Sequence, residues 1–128
     1  MGKKTNKKLL TETELELMQI IWKTGESTVK EVKASLPINR DLAYTSVSTI
    51  MRILEKKGVL KSKKGNGNSY IYTPELTKEE YEQNSLRHLL SNVFSDAPKS
   101  LVKTLVDTTS MSKSDLVEIS KMIEERLK

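Results

Sequence analysis

The chain of 128 residues is 36% hydrophobic and 30% charged, with a formal net charge of +5, which leaves room for one ordinary domain or a small domain carrying an appendage. It has no cysteine and one histidine, so disulfides, thiolate zinc or iron–sulfur sites, a cysteine nucleophile and a histidine-rich metal site are excluded, and neither metal nor cofactor is expected. No apolar run approaches the roughly 18 residues that cross a bilayer, no apolar segment follows the lysine-rich start as it would in a secretory signal, and Asn6 stands where a myristoylation signal needs Ser or Thr; a cytoplasmic protein without membrane insertion is expected.

Residues 1–10 hold four lysines without apolar periodicity and are expected to form a disordered basic arm. Thr11-Glu12-Thr13-Glu14 has capping-box spacing, and Leu15, Met18, Ile21 and Trp22 follow at helical spacing up to Gly25. Thr28-Val29-Lys30-Glu31 repeats the box and opens a short helix that buries Val29, Val32 and Leu36 before Pro37 stops it. From about Leu42 to Lys57 a third helix places Val47, Ile50, Met51 and Leu54 on one apolar face, with Gly58 at a left-handed C-cap. Val59 to Lys64, the turn Gly65-Asn66-Gly67-Asn68 and Ser69 to Thr73 then read as a β-hairpin, its glycines and asparagines supplying positive φ angles.

Everything after Pro74 reads as helical. Thr77 caps a helix running to about Phe94, Ser95-Asp96-Ala97-Pro98 starts a short one, and Ser112 with Asp115 starts the last. The fold class expected is therefore mainly α with a small β-hairpin wing: a winged helix-turn-helix domain over residues 11–74, then a helical dimerisation region over 75–128. The apolar faces of these last helices exceed what so small a region can bury alone, so a homodimer is expected. Its contacts would come from Leu86, Leu89, Leu90, Val93, Phe94, Leu101, Leu105, Leu116, Ile119 and Ile123.

Charge divides along the same boundary. Residues 1–73 carry 14 Lys/Arg against 7 Asp/Glu, and residues 74–128 carry 8 against 10. A basic front half suits a polyanion such as double-stranded DNA. A helix entering the major groove must bury one face on its own domain and offer the other to base edges and phosphates. Thr45, Ser46, Ser48 and Thr49 are short enough for close approach, Arg52 can reach a phosphate or guanine, and Lys61, Lys63 and Lys64 decorate the wing. Tyr70 and Tyr72 alternate in a strand and read as wing and core packing, and Trp22 as core.

Other classes fit less well. Glu79-Glu80, Glu124-Glu125 and Asp96 read as helix caps and solvated faces with no convergent partner, so no enzyme is expected. His88 reads as a packed or solvent-edge residue. A winged-helix protein-interaction module without its own DNA specificity is an alternative. A small-molecule-responsive winged-helix regulator is another, which would need a pocket in residues 74–128.

The segments Leu17-Met18-Gln19-Ile20-Ile21-Trp22, Thr28-Val29-Lys30-Glu31-Val32, Ala43-Tyr44-Thr45-Ser46-Val47-Ser48-Thr49-Ile50 and Leu54-Glu55-Lys56-Lys57-Gly58 resemble the BlaI/MecI family of penicillinase repressors. The resemblance implies a repressor that binds palindromic operators with TACA/TGTA half-sites through an N-terminal winged helix and dimerises through C-terminal helices. Carried over by position, the recognition-helix contacts fall on Tyr44, Thr45, Ser46, Ser48, Thr49 and Arg52. It also implies control of β-lactam resistance genes, with a membrane sensor-protease as partner that relieves repression by cutting an Asn-Phe bond.

This sequence departs from the family pattern at three points. Ile53 stands where many members have a basic residue, and the absence of cysteine excludes copper sensing through thiolates. After Lys99-Ser100-Leu101-Val102, the candidate cleavage position holds Thr104-Leu105 in place of Asn-Phe, which calls inducibility by the usual protease into question.

Overall fold

The computed structural model describes residues 9–128, so the lysine arm expected at the N-terminus lies, up to residue 8, outside the described residues. The order of elements is α1 (Glu12–Thr24), α2 (Val29–Ser35), α3 (Tyr44–Lys56), β1 (Leu60–Lys64), β2 (Tyr70–Pro74), α4 (Lys78–Asn92), α5 (Pro98–Thr108) and α6 (Lys113–Leu127). The chain divides into two compact units, one reaching to Leu86 and the other comprising Arg87–Lys128. Among the described residues no helix is long and apolar enough to cross a membrane.

In the first unit, capping boxes open α1 and α2 as their spacing predicts. The Thr11 and Thr28 hydroxyls accept from the amides of Glu14 and Glu31, whose carboxylates accept from the Thr11 and Thr28 amides. The core is built from Leu17, Met18 and Ile21 of α1, Val32 of α2, and Val47, Met51 and Leu54 of α3, together with Val59, Leu60, Tyr72 and Leu76. Leu36 lies just past the end of α2 and is half-buried against this core. Trp22 packs on the core's edge and donates its indole N–H to the Leu76 carbonyl at 2.9 Å. Its ring lies 5.7 Å from that of Tyr81, whose hydroxyl accepts from the Leu10 amide at 3.1 Å. Packing thus begins at Leu10 and extends past Pro74 into the second turn of α4.

The hairpin is antiparallel, pairing Leu60 with Pro74, Ser62 with Tyr72 and Lys64 with Tyr70. Its turn differs from expectation in one respect: only Gly67 adopts positive φ (61°), and neither asparagine does. Gly65 sits close to its neighbours: a Cβ there would lie 3.1 Å from the Ile71 and Ser69 side chains, which would have to shift by a few tenths of an ångström. A bridge from Ser27 adds a third contact to the sheet, with the Tyr72 amide donating to Ser27 at 2.8 Å and the Ser27 amide donating back at 2.9 Å.

In the second unit α5 and α6 have no buried residues. Ser112 and Asp115 form the expected capping box. The start of α5 differs from the sequence reading. Ser95 and Asp96 adopt left-handed φ of 50° and 59°. They turn the chain instead of capping the helix, and Ala97 is the N-cap with Pro98 in the first turn. Two successive left-handed non-glycine residues cost roughly 1 kcal/mol or more each.

Candidate nucleic-acid interface

Helix α3 buries Val47, Met51 and Leu54, packs the partly buried Ile50 against the same core, and leaves most of its other positions outward. Most of the outward positions fall into two rows. Tyr44, Ser48, Arg52 and Glu55 line a cleft of about 820 Å³ shared with the hairpin and the start of α2. On the adjacent row Thr49, Arg52, Ile53 and Lys56 border a shallow depression. Thr45, Ser46 and Thr49 are exposed and Ser48 is half-buried. Of the six helix residues singled out from sequence, Tyr44, Ser48, Thr49 and Arg52 lie on these two rows, with Arg52 and Glu55 common to both, while Thr45 and Ser46 are exposed on the helix but line neither. Ile53, 40% exposed, puts an apolar side chain on that surface where charge was expected from the family pattern.

The three wing lysines do not share a face. Side chains alternate along β1, so Ser62 and Lys64 lie on one side and Lys61 and Lys63 on the other. Ser62 marks the side toward α3, since its hydroxyl donates to the Glu55 carboxylate at 2.8 Å. Lys64 is on that side, across from Tyr70, while Lys61 pairs with Glu75 at 3.6 Å. Periodicity shows the alternation but not which side faces the helix.

Long-range contacts hold α3 in place. The Lys57 ammonium donates to both Glu14 oxygens at 2.8 Å, joining the C-terminal end of α3 to the first turn of α1. Burial pushes the Glu14 carboxyl up, but hydrogen bonds from Lys57 and the Thr11 amide, with the Lys57 charge, outweigh it and hold the carboxyl below its ordinary value of 4.5. Arg40, in the loop before α3, donates to Glu16 at 2.9 Å and to the Thr13 hydroxyl at 3.3 Å. Burial, followed by the Glu55 charge, raises the Tyr72 hydroxyl above 10.0, so this buried ring stays neutral at the root of the wing.

Lys30, Glu55, Asn68 and Tyr70 also line the cleft, and sequence reasoning did not place them at the interface. Lys30 sits on a separate helix with no sequence signal linking it to α3, and Tyr70, expected to serve packing, is 46% exposed.

Of the residues expected at a dimer contact, Leu86, Leu89, Val93, Leu105, Leu116 and Ile123 are 41–64% exposed. Leu90, Phe94, Leu101 and Ile119 are half-buried. Leu86 closes the first unit and the others belong to the second. Thr104 and Leu105 lie inside α5, and their carbonyls accept from the Thr108 and Thr109 hydroxyls at 2.6 Å.

Comparison with known proteins agrees with this architecture. The family model described as "Penicillinase repressor" matches residues 10–125. An uncharacterized protein of Latilactobacillus sakei is 26% identical over 96% of this chain and 82% of its own length. The penicillinase repressor of Bacillus licheniformis is 25% identical over 91% of this chain and 90% of its own. The solution structure of the DNA-binding domain of the repressor BlaI superposes with a TM-score of 0.50 at 30% identity, covering 56% of this chain and 87% of that one. The fold is a winged helix with appended helices, and the chain belongs to the penicillinase repressor family.

Proposed function

We propose that the protein is a transcriptional repressor that binds double-stranded operator DNA as a homodimer, with α3 in the major groove and the hairpin as wing. The observation that carries this reading is the surface of α3, where Thr45, Thr49 and Arg52 project outward while Val47, Met51 and Leu54 anchor the helix. Short hydroxyl side chains beside a guanidinium suit base edges and phosphates together. Family membership supports the same role, as do relatives named for repression and DNA binding.

Dimerisation falls to residues 75–128. Apolar side chains left uncovered along α4, α5 and α6 are the surface such contacts need. A two-fold dimer would read a palindrome, and TACA/TGTA half-sites are the first candidates. The genes controlled would be those of β-lactam resistance, in keeping with the names of the relatives.

Relief of repression by a membrane sensor-protease is part of this proposal, with a constraint from α5. A protease takes its substrate extended, so cutting Thr104–Leu105 requires unwinding that helix and releasing the Thr108 and Thr109 hydroxyl contacts. Blotting for this protein after β-lactam exposure tests the step: a fragment ending at Thr104 supports it, and full-length protein persisting through derepression rejects it. Genomic footprinting tests the reading as a whole, with palindromic protected sites upstream of regulated genes as the expected result.

A further inference from the structure

The cleft between α3 and the hairpin has chemistry of its own. One wall carries Tyr44, Ser48 and Arg52, and the other carries Asn68 and Tyr70, with Lys30 at the end where α2 begins. Tyr44 is 53% exposed and Tyr70 46%, so both phenol groups are available to a ligand. The floor holds Glu55, which is engaged with the Ser62 hydroxyl. The backbone bridge between Ser27 and Tyr72 ties the start of α2 to the wing, which is why Lys30 and Tyr70 border one cleft although they are far apart in sequence.

This inference rests on the DNA-binding reading above. If α3 enters a major groove and the hairpin reaches the adjoining minor groove, the phosphodiester strand separating those grooves must pass between them. We propose that this cleft seats that strand, with Lys30 and Tyr70 as phosphate-positioning residues that fix how deeply α3 enters the groove. Two cations and several neutral donors line the rim, matching the charge of a sugar–phosphate backbone. The Glu55 carboxylate repels phosphate from the floor, so the strand rides on the rim groups and Glu55 acts on DNA only by holding the wing through Ser62.

The test uses the full chain and a fluorescent duplex bearing a TACA/TGTA palindrome, compared with a scrambled duplex, over a range of KCl concentrations. Lys30→Ala should weaken binding to both duplexes to a similar extent and lower the slope of log affinity against log salt by about one. Tyr70→Phe should weaken both with the slope unchanged, because a neutral donor releases no counterion. Lys23→Ala removes the same charge from an exposed position on α1 outside the cleft and should change neither. Single methylphosphonate substitutions should mark one short run of phosphates flanking each half-site, at one of which Lys30→Ala becomes insensitive. If Lys30→Ala behaved like Lys23→Ala, or its sensitivity mapped to no phosphate, the cleft assignment would be overturned. If the unaltered protein bound neither duplex, the DNA-binding reading itself would fail and the cleft assignment with it.

Discussion

The ammonium of Lys57 donates to both carboxylate oxygens of Glu14 at 2.8 Å, bridging 43 residues of sequence to join the end of α3 to the beginning of α1. Glu14 already accepts from the Thr11 amide as the third residue of a capping box, so one buried carboxylate serves two elements. This pair fastens α3 to α1 in addition to the burial of Val47, Met51 and Leu54.

Replacing Lys57 with Met should therefore cost about 1–3 kcal/mol at neutral pH, because the buried Glu14 charge loses its cation. Urea denaturation followed by Trp22 fluorescence measures it. The pH dependence has a definite sign. Glu14 is held below its ordinary 4.5, so its contribution is fully present above that value and fades as pH falls through the lowered folded value. In Lys57→Met, burial acts with less opposition, and the acid loss should begin at higher pH.

A fragment ending at Pro74 should fail to reach the native state, and one ending at Leu86 should fold. Leu76 is fully buried, and the Tyr81 hydroxyl receives the Leu10 amide, so the winged-helix core includes the start of α4. Leu76→Ala should cost about 2–5 kcal/mol. Circular dichroism and thermal unfolding of the two fragments check the boundary.

The wing lysines should not be equivalent. Lys64→Ala should lower the salt slope of DNA binding by about one, and Lys61→Ala, whose cation already pairs with Glu75, should lower it less. Thr45→Phe should instead reduce preference for the operator over random duplex, since Thr45 lies exposed on α3. Anisotropy titrations at several salt concentrations separate these effects.

Leu89 and Ile123 are 41% and 53% exposed, and charge at either position should be tolerated by the monomer but not by an apolar dimer contact. Leu89→Asp or Ile123→Asp should therefore shift sedimentation at micromolar concentration from dimer to monomer while leaving helicity nearly unchanged. A dimer unaffected by both substitutions would place the contact elsewhere.

Much of this molecule was legible in the sequence because its signals are local. Capping boxes at Thr11, Thr28 and Ser112, the glycine after α3 and the turn between strands each depend on residues a few positions apart. The boundary between units was less legible, since Pro74 looks like a stop while Leu76 and Tyr81 reach back to Trp22 and Leu10. Within the interface the outward row of α3 followed from helical periodicity. The side of the wing that meets Glu55 did not, because period-two alternation leaves the choice of face open until the hairpin docks. Lys30 was hidden because its place beside the wing depends on a bridge, Ser27 to Tyr72, between residues far apart in sequence.

In the proposed repressor two copies of α3, joined through the C-terminal helices, read two half-sites at once. Equilibrium titration of the full chain against a palindrome, a single half-site and a scrambled duplex, at one fixed salt concentration, tests it most directly. Two protein chains per palindrome are expected, with affinity orders of magnitude above that for the half-site because the second contact is intramolecular. A preference of about 10³ or more over scrambled DNA is expected as well. Equal affinity for all three duplexes, or one chain per palindrome at saturation, would contradict it.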